Sequence, residues 1–189
     1  VLRDIFNKIN IPTFFALGNH DKRSSFNKVF KKINSKKPLF YNQILEGLNL
    51  ITLDTSVPGK ISGAICDEQF KFLNKKLIQN KNFPTIIMMH HPPMFNKKGP
   101  NWISLDEKST NKLQSELEKK EILAIMCGHI HINQTNFWNG IPVIISNGLY
   151  STVDLLNRDD MVILEGKSFN ICYITVSYTH LRAHETKPN

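Results

Sequence analysis

Short apolar runs that stop abruptly at a glycine or a histidine constrain the fold of this chain most. Three such runs occur, with amphipathic segments between them, and they are Thr13–Leu17, Thr85–Met89 and Ile122–Cys127. Apolar runs of this length are typical of strands that are buried on both faces of a sheet. Because the runs alternate with helical patterns, we predict a layered α/β (α+β) domain.

The segments between these runs predict helices and antiparallel strands. Apolar spacing indicates helices near residues 2–9, 26–33, 70–77 and 113–117, the third with Asp67 as its N-terminal cap. Further strands are predicted at residues 38–44, 48–54, 134–138, 141–146 and 169–176. Tight turns at Glu46–Gly47 and Asn139–Gly140 join two pairs of them. We find no repeat and no linker, so a single domain is expected.

The end of the chain breaks this pattern. From Tyr178 to Asn189 the sequence has charged residues and histidines but no apolar period. We therefore predict a domain over residues 1–177 and a disordered or non-native end at 178–189 that packs against nothing.

Composition narrows the class of protein. The formal net charge of +8 comes largely from scattered lysines, and aromatic residues do not alternate with them as a base-stacking surface requires. This argues against a nucleic-acid partner. Cys66, Cys127 and Cys172 form no C-x-x-C pair, which favours a reducing cytoplasmic location. No apolar run approaches the roughly 20 residues that span a bilayer, so we expect no membrane span.

Each apolar run ends in side chains that can bind a metal. The three motifs are Gly18-Asn19-His20-Asp21, His90-His91-Pro92-Pro93 and Gly128-His129-Ile130-His131. Ligands bind beyond the carboxyl ends of strands in open α/β sheets, and imidazole suits zinc, iron and manganese. Each motif alone also fits a turn, a helix cap or a buried histidine. Five of the seven histidines lie in these motifs, which favours a metal site.

In this order the motifs resemble three of the five blocks of the calcineurin-like metallophosphoesterase superfamily. Asp54–Lys60, followed by Gly63 and by His90-His91-Pro92-Pro93, resembles the class III 3′,5′-cyclic nucleotide phosphodiesterase branch. The resemblance covers residues 1–176 and implies a four-layer sandwich of two mixed β-sheets flanked by helices. The family's D-x-H and G-D-x-x-D blocks are absent, so an N-terminally truncated domain without its first strands is expected.

The resemblance also implies ligands for two divalent or trivalent metal ions, which would be Fe, Mn or Zn. Asn19, His90 and His129 would bind one ion, and His131 would bind the other. The missing blocks would supply the remaining ligands in the family.

Catalytic roles follow from the same resemblance. His20 would lie near the phosphate and protonate the leaving oxygen, and Asp21 would orient His20 through a hydrogen bond. His91 would either support a metal ligand without binding the metal itself or be structural.

The resemblance implies hydrolysis of a small phosphoester, with a cyclic nucleotide such as cyclic AMP as the first choice of substrate. The alternatives are another small phosphoester, a nucleotide-lipid substrate, or a metal-poor fragment without catalysis. The parent protein is expected to be a metal-dependent phosphoric ester hydrolase, and the chain as given is expected to be inactive.

Overall fold

The computed structural model describes residues 2–30, 37–154, 162–174 and 179–182. The helices in these ranges are α1 (Leu2–Lys8), α2 (Arg23–Phe30), α3 (Asp67–Gln79) and α4 (Glu107–Leu117), with a 3-10 turn at Asn101–Ile103. The strands are β1 (Tyr41–Leu45), β2 (Leu48–Thr52), β3 (Thr85–Met88), β4 (Ile122–Cys127), β5 (Gln134–Trp138), β6 (Ile141–Ile145), β7 (Ser151–Val153), β8 (Ile163–Glu165), β9 (Ile171–Ile174) and β10 (Thr179–Arg182).

A six-stranded mixed sheet organises the described residues. Its strand order is β1-β2-β3-β4-β6-β5. The central strands β2, β3, β4 and β6 run parallel, while β1 and β5 are antiparallel at the two edges. The carboxyl ends of the four central strands therefore meet at one edge of the sheet, where ligand sites of α/β proteins form.

The two predicted hairpins form as expected. Glu46 and Gly47 have φ values of 48° and 83°, and Asn139 and Gly140 have φ values of 51° and 80°. Two central residues with positive φ give a turn whose twist matches that of the flanking strands. These turns fix the registers of β1 with β2 and of β5 with β6.

Helices α3 and α4 cover one face of the sheet. Alternate residues of the central strands point to this face and are fully buried, as Ile51, Ile87 and Ile125 illustrate. The helices contribute the buried residues Phe70, Leu73, Leu77, Leu113 and Leu117. Full burial of each such side chain stabilises the fold by about 1.5–3 kcal/mol, so this face is the main core.

The predicted strand at Thr13–Leu17 is wrong for the described structure. Leu17 is buried, but the run pairs with no strand among the described residues. The hydroxyl of Tyr41 replaces a strand partner at Phe15: it accepts from the Phe15 N–H at 2.7 Å and donates to the Phe15 carbonyl at 2.9 Å. An aromatic side chain from β1 thus satisfies backbone groups that a ladder would otherwise pair.

Two further expectations need correction. Asp67 is the first residue of α3 and not its cap; the cap position is Cys66, which makes no side-chain capping bond. Thr179–Arg182, part of the end predicted to be disordered or non-native and to pack against nothing, forms β10 and pairs antiparallel with β9. The non-native alternative stays a prediction. Residues 178 and 183–189 lie outside the described residues, and the domain boundary at 177 stays a prediction.

Two small sheets accompany the large one: β7 pairs with β8, and β9 pairs with β10. The sequence pattern missed β7 and β8. The α/β class, with a mixed six-stranded sheet, small sheets and helices, is confirmed. The described residues contain one mixed sheet, because both small sheets are antiparallel, so the sandwich of two mixed sheets stays a prediction. No helix in the described ranges combines the length and the apolar character that crossing a membrane requires.

Candidate metal centre

Three side chains from distant parts of the sequence converge at the carboxyl edge of the sheet. His90 follows β3, His129 follows β4, and Asn19 lies in the turn before α2. Asn19 Oδ1 lies 3.0 Å from His90 Nε2, and His129 Nδ1 lies 3.2 Å from the same nitrogen. Gly18 permits this approach, because a Cβ there would lie 2.8 Å from His90 Cε1.

The ring of His129 is held from its far side. Its Nε2 lies 2.7 Å from the backbone carbonyl oxygen of Trp102. A carbonyl oxygen only accepts, so Nε2 carries the hydrogen and the neutral ring keeps its lone pair on Nδ1. This lone pair is on the side of the ring that faces His90.

His131 lies next to this trio but has different contacts. Its Nδ1 lies 3.0 Å from Ser151 Oγ in β7. Its backbone carbonyl accepts from Thr152 Oγ1 at 2.9 Å and from the Val153 N–H at 3.2 Å. His129 and His131 have φ values of 76° and 53°, a left-handed conformation that costs free energy in residues other than glycine. The fold therefore holds this turn in an unfavourable geometry that brings both rings to the edge.

Electrostatics keeps the clustered histidines neutral. Burial, with smaller contributions from the neighbouring His91 and His129, lowers the pKa of His90 to about 3. Burial also lowers the pKa of His129, although its hydrogen bond to the Trp102 carbonyl acts in the opposite direction. Neutral imidazoles offer the lone pairs that a cation requires.

His91 belongs to the protein interior and not to the ligand set. One of its ring nitrogens lies within 4.8 Å of one ring nitrogen each of His90 and His129. Both nitrogens of the His91 ring are already engaged, however: Nδ1 lies 2.8 Å from Thr55 Oγ1, and Nε2 lies 2.8 Å from the carbonyl oxygen of Ile61. Burial lowers the pKa of His91 to about 4. With no free nitrogen, this residue orders the loop after β2.

His20 is exposed beside the cluster. It lies in an open groove of about 630 Å³, whose lining includes the cationic Arg3 and Lys22 and the acidic Asp4 and Asp21. The Asp21 carboxylate accepts from the Gly18 N–H at 2.8 Å and so closes the turn that carries Asn19. Asp21 Oδ2 is therefore engaged with the backbone, and the predicted bond between Asp21 and His20 stays a prediction.

A buried ion pair that the sequence reasoning missed supports the same edge. Asp54 follows β2 and is 1% exposed. Its Oδ2 accepts from Arg23 Nε and from the Leu39 N–H, each at 2.8 Å, and its Oδ1 accepts from the Ser56 N–H at 3.0 Å. These bonds satisfy the buried charge and tie α2 to the sheet. The signal was present, because Asp54 ends an apolar run as the other motifs do.

The donor set fits a metal ion. Asn oxygen and His nitrogen suit borderline divalent cations. Ligand atoms about 2.0–2.1 Å from a tetrahedral ion lie roughly 3.3 Å from one another. The 3.0 Å and 3.2 Å separations around His90 Nε2 are close to that value. Asn19, His90 and His129 therefore offer donors of suitable type for one ion, with His90 Nε2 at a suitable distance from each of the other two.

Comparisons with known proteins point the same way. A "Probable cyclic nucleotide phosphodiesterase" of Rhodococcus erythropolis is 31% identical over 156 residues, which cover 82% of this chain and 52% of the relative. A "Probable glycerophosphodiester phosphodiesterase GpdQ" of Arcobacter nitrofigilis is 24% identical over 93% of this chain and 67% of its own length. The "3',5'-cyclic adenosine monophosphate phosphodiesterase CpdA" of Escherichia coli is 27% identical over 68% of this chain and 46% of its own length. The chain thus spans about half the length of several curated relatives it matches.

Structural comparison shows the same fold. A dimetal phosphatase from Danio rerio superposes with a TM-score of 0.54 at 15% identity, over 78% of this chain and 67% of that one. The family model for calcineurin-like phosphoesterases matches residues 1–133, well over half of the chain. A fold of this kind implies divalent metal ions. The chain therefore belongs to the calcineurin-like phosphoesterase family.

Proposed function

We propose that the protein carrying this domain hydrolyses a small phosphoester, with a 3′,5′-cyclic nucleotide such as cyclic AMP as the leading substrate. The observation that carries the proposal is the convergence of Asn19 Oδ1 and His129 Nδ1 on His90 Nε2, at 3.0 Å and 3.2 Å. The names of relatives support the substrate class, including a "cAMP/cGMP dual specificity phosphodiesterase" of Mycobacterium tuberculosis that is 31% identical over 75% of this chain.

The proposed cofactor is a pair of metal ions, with Fe, Mn or Zn as candidates. Asn19, His90 and His129 would hold one ion, and His131 would serve the other. When bound, such ions polarise a phosphoryl oxygen and lower the pKa of a water molecule. The neutral state of His90 and His129 supports this assignment, because protonated rings have no lone pair for a cation.

His20 and Asp21 are proposed to act on the substrate side of the centre. His20 is exposed, and its charge influences the pKa values of His90 and His129, so its ring is within electrostatic reach of them. It would donate a proton to the leaving oxygen. Asp21 would keep His20 in place by closing the turn through the Gly18 N–H.

Trp102 is the proposed contact for a nucleobase. Its carbonyl oxygen lies 2.7 Å from His129 Nε2, and the residue is 39% exposed. A half-exposed indole beside the reacting centre offers a flat face on which a base can stack. The net charge of +8 favours the approach of an anionic substrate.

A glycerophosphodiester is the second candidate substrate. The relative of Arcobacter nitrofigilis named for this activity matches 93% of the chain, more than the cyclic nucleotide relatives do. Such a substrate has no base to stack, so Trp102 distinguishes the two candidates.

A cytoplasmic setting belongs to the same proposal. The three cysteines Cys66, Cys127 and Cys172 are all free thiols. Unpaired cysteines are typical of reducing compartments.

The test is a hydrolysis assay of the protein that carries this domain, with Mn²⁺ or Zn²⁺ added. We expect turnover of cyclic AMP and of the generic diester bis(p-nitrophenyl) phosphate, and loss of both in His129→Ala. Trp102→Ala should raise the KM for cyclic AMP and leave the KM for glycerophosphocholine unchanged.

Turnover of glycerophosphocholine without turnover of cyclic AMP would favour the second candidate. A protein that binds the metal and hydrolyses none of these esters would contradict the proposed function.

A further inference from the structure

We propose that the buried ion pair between Arg23 and Asp54 sets the position of His20, which makes Arg23 a positioning residue for the reaction. The pair joins the first residue of α2 to the residue pair that follows β2. The inference rests on the proposed role of His20 as proton donor to the leaving oxygen. It adds a residue that lies outside the three metal-binding motifs.

The Arg23 side chain uses its planar fork to grip two groups at once. Nε donates to Asp54 Oδ2 at 2.8 Å, while Nη2 donates to the Ser56 carbonyl at 2.8 Å and to Ser56 Oγ at 3.2 Å. A guanidinium held in this way has a fixed orientation as well as a fixed distance. Because desolvation offsets much of the attraction within a buried ion pair, we assign this pair a geometric role and not one in net stability.

Asp54 is a firm anchor for this fork. Gln69 of α3 is 1% exposed; its amide oxygen accepts from the Asp54 N–H and its amide nitrogen donates to the Asp54 carbonyl, each at 2.8 Å. Asp54 Oδ2 also accepts from the Leu39 N–H at 2.8 Å. The point to which Arg23 is tied is therefore fixed by the main core.

Helix α2 has few other firm contacts. None of its residues is fully buried. Phe26 and Phe30 pack on Phe15, with ring centroids 5.6 Å and 4.7 Å away, but Phe15 lies in a run that pairs with no described strand. Apolar contact between rings is not directional. The ion pair therefore supplies the directional contact that places the start of α2.

The start of α2 in turn places His20. Asp21 donates its N–H to the Gly18 carbonyl at 3.1 Å and accepts from the Gly18 N–H at 2.8 Å, so the turn is closed on itself. Asn19 has a further contact with His90 at 3.0 Å. His20 is exposed and makes no hydrogen bond to another of the described residues. Its position thus depends on where the turn meets α2.

This arrangement predicts a loss that depends on the leaving group. A misplacement of about 1 Å, caused at a distance from the chemistry, can cost about 100-fold in rate. An alkoxide needs a proton when the P–O bond breaks, whereas p-nitrophenolate leaves without one. Misplacing His20 should therefore slow esters with alkoxide leaving groups and spare p-nitrophenyl esters.

The experiment uses the protein that carries this domain, at saturating Mn²⁺. The two substrates are bis(p-nitrophenyl) phosphate and whichever of cyclic AMP and glycerophosphocholine the protein hydrolyses, since both lose an alkoxide. Arg23→Met should lower kcat for the alkoxide ester about 10–100-fold, with KM and the p-nitrophenyl rate nearly unchanged. Arg23→Lys keeps the charge but not the fork, so it should show a smaller loss of the same kind. Circular dichroism checks folding, and Arg23→Lys carries the test if Arg23→Met does not fold.

A double variant tests whether Arg23 acts through His20. His20→Ala should lower kcat for the alkoxide ester about 10²–10⁴-fold. Adding Arg23→Met to His20→Ala should cause little further loss, because the two residues act as a unit. Lys97→Met is the matched control: it removes a cation from an exposed ion pair with Glu107 and should leave both rates unchanged.

Equal losses on the two esters, wild-type rates in the Arg23 variants, or a full further loss in the double variant would overturn the inference. Wild-type kcat for the alkoxide ester in His20→Ala would contradict the proposed role of His20, and this inference with it. A protein that binds Mn²⁺ and hydrolyses neither ester would contradict the proposed function itself.

Discussion

Two adjacent histidines, His90 and His91, follow β3 and have opposite environments. His91 is 0% exposed, and its two ring nitrogens bond Thr55 and Ile61 inside the protein. His90 is half-buried, and its Nε2 faces Asn19 at the edge of the sheet. The two residues have the same chemistry and differ only in the side of the chain to which they point.

This difference shows how position assigns a role to a histidine. Successive side chains of an extended segment point to opposite sides, so a His-His pair sends one ring inward and one outward. The inward ring has both nitrogens satisfied and stabilises the loop around it. The outward ring keeps a nitrogen for a ligand, and it does so next to other donors.

The comparison predicts that His91→Ala destabilises the fold most. Removing the ring takes from the Ile61 carbonyl its bond to Nε2 and from the Thr55 hydroxyl one of two bonds, since that hydroxyl keeps the His91 backbone N–H at 3.2 Å. A buried polar group left without a partner costs about 1–3 kcal/mol. Together with the cavity, we expect a loss of about 4 kcal/mol in the free energy of unfolding. Urea denaturation measures it. A loss below about 1 kcal/mol would show that the inner histidine has no structural role.

The second prediction concerns His90, the histidine that points to the edge of the sheet. His90→Ala should weaken Mn²⁺ or Zn²⁺ binding more than about 100-fold, because His90 Nε2 is the centre of the cluster. Loss of a residue that only hydrogen-bonds a metal ligand typically weakens metal binding about 10–100-fold. Its free energy of unfolding should change by less than about 1 kcal/mol, since the ring packs at an edge. Calorimetric metal titration and denaturation together check it. Unchanged metal affinity would contradict the division of roles between the two histidines.

The third prediction tests the packing around His91. A Cβ on Gly63 would lie 2.5 Å from His91 Cγ, so Gly63→Ala must displace the ring or the loop. We expect a loss of about 2 kcal/mol in the free energy of unfolding. Gly99→Ala is the control, because its nearest contact is 3.3 Å away in an exposed loop. Equal effects of the two substitutions would refute the close packing.

The smallest expected effect belongs to Thr55→Val, which keeps the side-chain shape and removes the hydroxyl. His91 Nδ1 then loses the partner at 2.8 Å. We expect a loss of about 1.5 kcal/mol in the free energy of unfolding, with metal affinity unchanged. A variant with altered metal affinity and unchanged stability would show that Thr55 acts on the metal centre instead.

Local pattern was sufficient to predict much of the architecture. The runs at β3 and β4 and the turn glycines at 47 and 140 depend on neighbours in sequence, and all of these elements form as expected. The pattern also predicted that side chains after β3 and β4 would converge, and the structure brings His90 and His129 together.

The remainder depends on contacts between residues that are far apart in sequence. Nothing in the run Thr13–Leu17 indicates that the Tyr41 hydroxyl takes the backbone groups of Phe15. The Trp102 carbonyl on His129 is a backbone group and has no signature in sequence. Short, weakly apolar strands such as β7 likewise become visible only through their partners.

The most direct test of the metal centre is anomalous diffraction from crystals of the protein grown with Zn²⁺. We predict a peak about 2.0–2.2 Å from Asn19 Oδ1, His90 Nε2 and His129 Nδ1, with the ring of His91 still bonded to Thr55 and Ile61. A peak coordinated by His91, or Zn²⁺ bound only away from His90 and His129, would contradict the account.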